Sequence, residues 1–381
     1  MNKRRKIPAA ADAAPWLLPH RNGKDVVDTR RAPKWWISSP AEAEAFMRGL
    51  KGVEVFELGR SAGGRPILAA ALGAREELPG RTSIAPNAAI GGGSPAAFYG
   101  QGRRKRQSFM YLGAAHGAEF EGSIAALHML NIALTGRDLR GKRWPRLAEA
   151  ARQMRLVVVP FFNIDGRERI AWCRHLVGVD AEAYNTRIAL GSWKDGRPLR
   201  YPEYKQVYPI PPEQMRFMGA TYNDNGFNLV YDNGLHSEPQ PETRGLLRFL
   251  RDERPDCVLC AHANAGSLVE NPTGFIPLRF RQRIVHFIGA VSQRCIREGF
   301  GVTSLIESVV AGDSYFTFYQ TDMIYHACGA LPVIVEFPRG YGASEDFDEL
   351  LDIGLCVLEE MLTLAAVKGF IPDWPQDYKA K

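Results

Sequence analysis

Apolar residues in this chain gather in short runs separated by amphipathic stretches. SFMYLGAA (108–115), RLVVVPFF (155–162), CVLCAH (257–262) and LPVIVEF (331–337) are nearly continuous apolar segments of strand length. Runs of that kind suit strands buried on both faces. Helical periodicity fills the intervals: 119–135, ended by Gly136; 241–255; and most of 276–299. A last helix opens at Ser344, whose following acids suit a helix N-terminus, and runs to about Lys368 before Gly369. Upstream, VEVFELGRSAGGRPILAAALG (53–73) is strand, Gly-rich turn and strand, hence a hairpin. The alternation predicts an α/β three-layer sandwich: a mixed, mainly parallel twisted sheet with helices on both faces.

Two stretches break the pattern. Residues 85–107 are rich in Gly, Ala and Pro and end in a basic cluster, as a mobile loop insertion would. Residues 179–225 are rich in Pro, Tyr and Arg and weakly periodic, a long insertion rather than a domain. Residues 1–33 are expected to be a basic, flexible tail, and 34–381 a single domain.

Composition narrows the function classes. At 381 residues, 45% hydrophobic and 24% charged, the chain has ample core for a soluble globular protein. No apolar run approaches the roughly 20 residues a membrane helix needs. The N-terminus lacks a stretch of signal-peptide length, so a cytoplasmic location is expected. Of the net charge of +6, residues 1–31 carry +5, through eight Lys/Arg against three Asp. The basic excess is thus a tail without a recognised nucleic-acid motif, and no nucleic-acid partner is expected. The six cysteines are scattered. Cys257 and Cys260 form the one C-x-x-C, but an odd offset on a strand points them to opposite faces, and no second pair completes a zinc site. They are expected to be reduced, buried thiols. Nothing in the sequence speaks to oligomeric state.

Three strand ends finish in residues that chemistry can use: His116 after the first apolar run, His262 at the end of another, and Glu336 near the end of a third. In open α/β sheets the site lies outside the carboxyl ends of the strands, so residues far apart in sequence converge there. Glu119 lies three residues after His116. Two His and one Glu are a catalytic zinc set whose fourth position is left for water, and Glu336 is then placed to act as general base. H-x-x-E alone says little in a chain with eight His and 42 acids. His128, in the following helix, is taken as a helix-face residue beside Asn131 and Thr135.

Six segments, in order, resemble those of the zinc metallocarboxypeptidases, the carboxypeptidase A-like peptidases, over roughly residues 35–368. LGRSAGGRPILAAALG is similar to that family's opening hairpin, GAAHGAEFEG to its H-x-x-E segment, and PFFNIDGRER to its N-P-D-G turn, with Ile164 in place of proline. SEPQPETRGLLRFL resembles its PET helix start, PDCVLCAHAN its third-ligand strand and LPVIVEFPRG the strand of its catalytic glutamate. The resemblance implies one Zn2+ per chain held by His116, Glu119 and His262, with Glu336 as base. It also implies zinc-dependent hydrolysis of an amide bond in a peptide or peptide-like acyl amino acid. A deacylase of a small N-acylated molecule is the first alternative, and a metal-site binding protein without turnover the second. The small residues around His116 are expected to let metal and substrate approach, or to serve tight strand–helix packing.

The chain departs from the family where a terminal carboxylate is gripped. The matching segment is GFNLVYDN (226–233), with Val230 and Tyr231 where the family has an Asn-Arg pair; GVDAEAYNTR (178–187) is the alternative match. Tyr231 and Asp232 are the substrate-binding candidates here, and Arg339 is a possible substitute clamp. Arg174 is the candidate for polarising the scissile carbonyl, with Arg167, Arg169 and Arg187 as rivals.

Overall fold

The four apolar runs become the middle and one edge of a six-stranded sheet. The structure is a computed structural model and describes residues 14–78, 104–234, 237–264, 275–301, 318–340 and 344–372. Strands β5 (Ser108–Gly113), β6 (Arg155–Val159), β9 (Cys257–Asn264) and β10 (Leu331–Pro338) pair in parallel. The predicted hairpin, β3 (Glu54–Arg60) and β4 (Pro66–Leu72), joins antiparallel through β4 to β6, giving the order β10-β9-β5-β6-β4-β3. All residues of β5 and β6 are buried, and β9 and β10 nearly so. Such strands need cover on both faces, which is why they lack polar alternation. This is the expected mixed, mainly parallel α/β architecture.

Four covering helices follow the predicted periodicities, and α3 and α9 add to them. Helix α2 (Glu121–Thr135) ends where Gly136 turns left-handed at φ 77° and its N–H bonds to Ile132 O. It packs with α3 (Pro145–Arg152) and α10 (Phe347–Lys368), and α8 (Leu278–Arg297) packs on α10. Helix α7 (Pro241–Glu253) lies along β3 and touches α9 (Gln320–Cys328), which also meets β10. His128 lies on a fully buried face of α2: Nε2 bonds to Trp35 O and Nδ1 accepts from Leu139 N–H. Burial pushes its pKa down to about 4, so it is a neutral structural residue.

The flexible tail expected over 1–33 does not reach that far. Residues 1–13 lie outside the described residues, but β1 (Leu17–Pro19) and β2 (Val26–Asp28) form an antiparallel hairpin on the domain. Leu18 is fully buried, Thr29 bonds to Trp16 O through both N–H and hydroxyl, and His20 bridges to Val179. The basic composition hides these few anchors. Helix α1 (Pro40–Gly49) follows, its start fixed by a Ser39/Glu42 capping box. The insertion foreseen at 85–107 lies outside the described residues except for 104–107. The one at 179–225 holds α5 (Ala181–Tyr184), a π turn (Asn185–Ala189), β7 (Gly191–Trp193), α6 (Glu203–Gln206) and β8 (Met215–Met218). Its own small core contains Trp193, Leu199, Ile210, Met215 and Tyr222.

The turn after β6 positions the site. Asn163 caps α4 (Ile164–Arg169) by accepting Gly166 N–H, while its amide donates to Ala220 O and Thr221 O. Asp165 has no exposed side-chain surface, and it collects Ser61 Oγ, Gly63 N–H, Arg65 and Asp224 N–H. Glu242, at the start of α7, accepts from Ala62 N–H at 2.9 Å and from Asn223. The hairpin turn, the α7 start and the 220–228 segment are thereby one hydrogen-bonded unit. A buried polar group costs free energy unless paired, so these motifs specify one another.

Burial pushes the Glu242 carboxyl up to about 7 against these hydrogen bonds. A raised carboxyl pKa means the folded state holds its proton longer than the unfolded chain. Stability from this group therefore falls as pH rises from about 4.5 through about 7, by roughly 3 kcal/mol in total. Glu242→Gln keeps an acceptor without the charge. It is expected to flatten the loss of stability between pH 5 and pH 8, measured by urea unfolding at each pH; an unchanged pH dependence would refute the assignment.

Candidate metal centre

The chain leaves β5 through a strained turn. Ala114 takes φ 51°, a left-handed conformation that costs a non-glycine residue roughly 1–2 kcal/mol. It is held there by Phe162 N–H on Gly113 O and Asn163 N–H on Ala114 O. Glu119 N–H returns to His116 O at 2.9 Å, which closes a tight turn and brings both side chains to one point. Glu119 thus precedes the helix, which begins at Glu121, instead of lying in its first turn. The glycines here serve packing. A Cβ on Gly117 would lie 2.3 Å from Arg167 N, and one on Gly113 would lie 2.4 Å from Ser123 Oγ. Gly117 N–H also bonds to Ala220 O, tying the turn to the hydrogen-bonded unit above.

His116, Glu119 and His262 converge as the strand ends predict. One ligand atom from each lies within 4.8 Å of the others. Glu119 Oε1 is 3.0 Å from His116 Nδ1, and Oε2 is 2.8 Å from His262 Nδ1. Tetrahedral zinc with bonds of 2.0–2.1 Å needs ligand atoms about 3.3 Å apart, so the donor set fits the ion with small adjustments. The second ring nitrogen supports the same assignment. His116 Nε2 lies 3.1 Å from Asn228 Oδ1, and since that oxygen only accepts, Nε2 keeps a proton and Nδ1, which faces Glu119, is the nitrogen that would give up its proton to ligate. Glu119 is buried, which alone would raise its pKa. The charges of His116 and Arg339, with hydrogen bonds from both histidines, outweigh burial and hold it well below the ordinary carboxylate range. It is ionised, as a ligand must be.

Glu336 stands beside this set. In the parallel pairing of β10 and β9, Glu336 is the register partner of His262. Paired residues point to the same face and neighbouring strands lie about 4.8 Å apart. Phe337, the next residue, packs its ring against Gly122 of α2, so Glu336 faces away from that helix. It is half-buried, unlike its fully buried neighbours in β10.

Other sequence candidates are spent elsewhere. Arg174 donates to Glu42 at 2.7 Å and to Trp36 O, anchoring α1. Arg167 is fully buried on the carbonyls of Ser38, Ile170 and Cys173, and Arg169 is tied to Gly219 O, Tyr222 O and Asp224. The Arg187 guanidinium alone among these rivals has no hydrogen bond or ion pair with the described residues. Asp232 does not face substrate: it is buried and accepts from Gln240 N–H ahead of α7. Arg339 is in the site, but its Nη2 lies 2.5 Å from Glu119 Oε1 and its guanidinium sits 4.6 Å from the Tyr184 ring centre. Val230 is buried. Tyr231 is half-buried among Tyr208 and Tyr319, and its hydroxyl meets Lys205 Nζ.

Sequence reasoning missed two members of this environment. Asn228 lies inside the quoted segment GFNLVYDN, so its place was legible there. Lys205 carried no signal, because a lone lysine in an irregular insertion has no pattern around it.

The family model for zinc carboxypeptidases matches residues 45–271. Among solved structures, a metallo-carboxypeptidase from Burkholderia cenocepacia is 16% identical with a TM-score of 0.50, covering 85% of this chain and 68% of its own. A candidate carboxypeptidase of Burkholderia mallei ATCC 23344 is 14% identical with a TM-score of 0.52, covering 86% and 67%. A candidate carboxypeptidase A of Shewanella denitrificans OS-217 is 13% identical with a TM-score of 0.52, covering 92% and 77%. At these identities the structures share the fold. No curated protein sequence matches the chain significantly.

The three-ligand geometry predicts one zinc per chain. His116→Ala is expected to lose most of the metal, measured by elemental analysis of protein purified without chelator, while keeping its far-UV spectrum. Full occupancy in that variant would overturn the ligand assignment.

Proposed function

We propose that in this chain, which belongs to the zinc carboxypeptidase family, His116, Glu119 and His262 hold the zinc and Glu336 is the general base. The chain is a zinc-dependent hydrolase of amide bonds. The observation that carries the residue assignment is the convergence of the three ligands within 4.8 Å with Glu336 in register beside His262. Bound zinc supplies a Lewis acid that brings the pKa of a coordinated water to about 7. Glu336 accepts the proton of the attacking water and passes it to the leaving amine nitrogen. Asn228 keeps the His116 ring in its ligand orientation. With Arg174 committed to Glu42, Arg187 is the arginine we assign to the scissile carbonyl. Its π turn runs beside Ala220, the residue that accepts from Gly117.

The substrate end of the site differs from a plain carboxylate clamp. Val230 offers no donor, and the Tyr231 hydroxyl is engaged by Lys205. The Arg339 charge is spent on Glu119. A charge-assisted hydrogen bond contributes roughly 1.5–3 kcal/mol, against about 0.5–1.5 for a neutral one. Peptides with a free C-terminus are therefore poor substrates, and the preferred ligand is blocked, modified or not a simple peptide. The same feature supports the deacylase of a small N-acylated molecule as the second reading. A carboxylate beside the ligands speaks against a binding protein without turnover. No described helix is long and apolar enough to cross a membrane. Six buried cysteines, none of them in a disulfide, support a cytoplasmic setting.

Glu336→Gln is expected to lower the hydrolysis rate by about 10²–10⁴-fold with zinc retained. Near wild-type turnover would remove Glu336 from that role. Matched peptides with free and amidated C-termini are expected to be cleaved with kcat/KM values within about tenfold of each other. A large preference for the free acid would refute the specificity reading, and its loss in Arg339→Ala or Lys205→Ala would identify the cation responsible.

A further inference from the structure

The segment linking α2 to α3, with α3 itself, carries six cations that fall into two sets. Arg140 pairs with Asp138, Asp348 and Asp352; Lys142 pairs with Asp352; Arg146 reaches Glu359 and Glu360. These three are matched by acids, largely on α10. Arg137, Arg143 and Arg152 have no acidic partner among the described residues. All three line one pocket of about 360 Å³ at the C-terminal end of α2, and no carboxylate lines it.

The fold forces these charges together. Arg137 and Arg143 oppose one another across an antiparallel bridge, a position where like charges repel. Arg152 is anchored from the other side by Nε on Ala133 O at 2.8 Å, and Arg137 by Nη1 on Gly141 O at 2.7 Å. Each anchor uses one guanidinium nitrogen and leaves the rest of the fork. The end of α2 carries about half a negative charge, too little to balance three cations. Acids that neutralise the neighbouring cations sit on α10, but none of the described acids lies here.

We propose that this pocket is a binding site for a small phosphate-bearing anion, held by Arg137, Arg143 and Arg152. Guanidinium forks match the oxygens of phosphate in bidentate fashion, and three cations favour a dianion over a carboxylate. The site is separate from the metal centre and does not depend on the reading given for it.

The test is calorimetric titration of the full-length, zinc-loaded protein with inorganic phosphate at constant ionic strength, with acetate as the monoanion control. Saturable binding of phosphate, stronger than that of acetate and at least about tenfold weaker in Arg143→Gln, is the expected result. Arg143 is exposed, so that variant should keep the wild-type melting temperature and its amide hydrolysis without phosphate. Arg152→Gln should weaken phosphate similarly. Absence of saturable binding would overturn the proposal, as would wild-type affinity in both arginine variants. Binding lost in His116→Ala but kept in Arg143→Gln would place the anion at the metal centre and also overturn it. So would binding of duplex DNA or acidic lipid vesicles without any binding of the small anion.

Discussion

A single buried carboxylate holds the functional end of this molecule together. Glu119 receives His116 on one oxygen and His262 on the other, with Arg339 beside the first and Ala263 N–H at 3.3 Å from the second. Those partners come from the exits of β5, β9 and β10, so one side chain couples three strand ends. An ionised carboxylate in a buried place is tolerable only when surrounded by donors and cations. Its partners lower its pKa against the effect of burial. The arrangement demanded by zinc ligation is therefore also the one that satisfies the protein's own electrostatics.

A second buried acid supports the first from outside. Asp165 binds the hairpin turn at 61–65 and the backbone of Asp224, while Asn163 binds Ala220 and Thr221. Through Ala220 this unit reaches Gly117, and through the chain to Asn228 it reaches the His116 ring. Motifs that looked like separate family marks are the corners of one hydrogen-bonded frame. Substituting Ile164 for the family's proline leaves that frame intact, because the frame uses Asn163, Asp165 and Gly166 rather than the residue between Asn163 and Asp165.

The substrate side is built from different material. Tyr208 donates to Asn228 O and packs edge-on against Phe227 and Tyr231, and Lys205 lies 4.6 Å from the Tyr231 ring centre. On the proposed reading, aromatic surface with one flexible ammonium lies where a guanidinium fork would grip a carboxylate. An ammonium is a strongly hydrated point charge, without the planar geometry that selects carboxylates.

The sequence by itself determined the six strands of the main sheet, four of the helices, the α/β class and a candidate ligand set. Continuous apolar runs, helical periodicity and Gly136 or Gly369 at helix ends are local signals, and His116, His262 and Glu336 lie at strand ends that topology sends to one edge, with Glu119 in the turn after the first. The anchoring of residues 14–33 was illegible, because it rests on a few side chains such as Leu18 and Thr29 inside a basic segment. The fate of the arginines was illegible for a similar reason. Arg174, Arg167 and Arg169 look alike in sequence, yet one anchors α1 and two cap carbonyls. Only tertiary structure decides which donors a long, flexible guanidinium finds. It also moved Glu119 ahead of the helix, turned Asp232 inward and left Arg137, Arg143 and Arg152 without counter-charges among the described residues. Periodicity reports which face of an element is buried; it carries no information about the partner that a polar side chain meets across the fold.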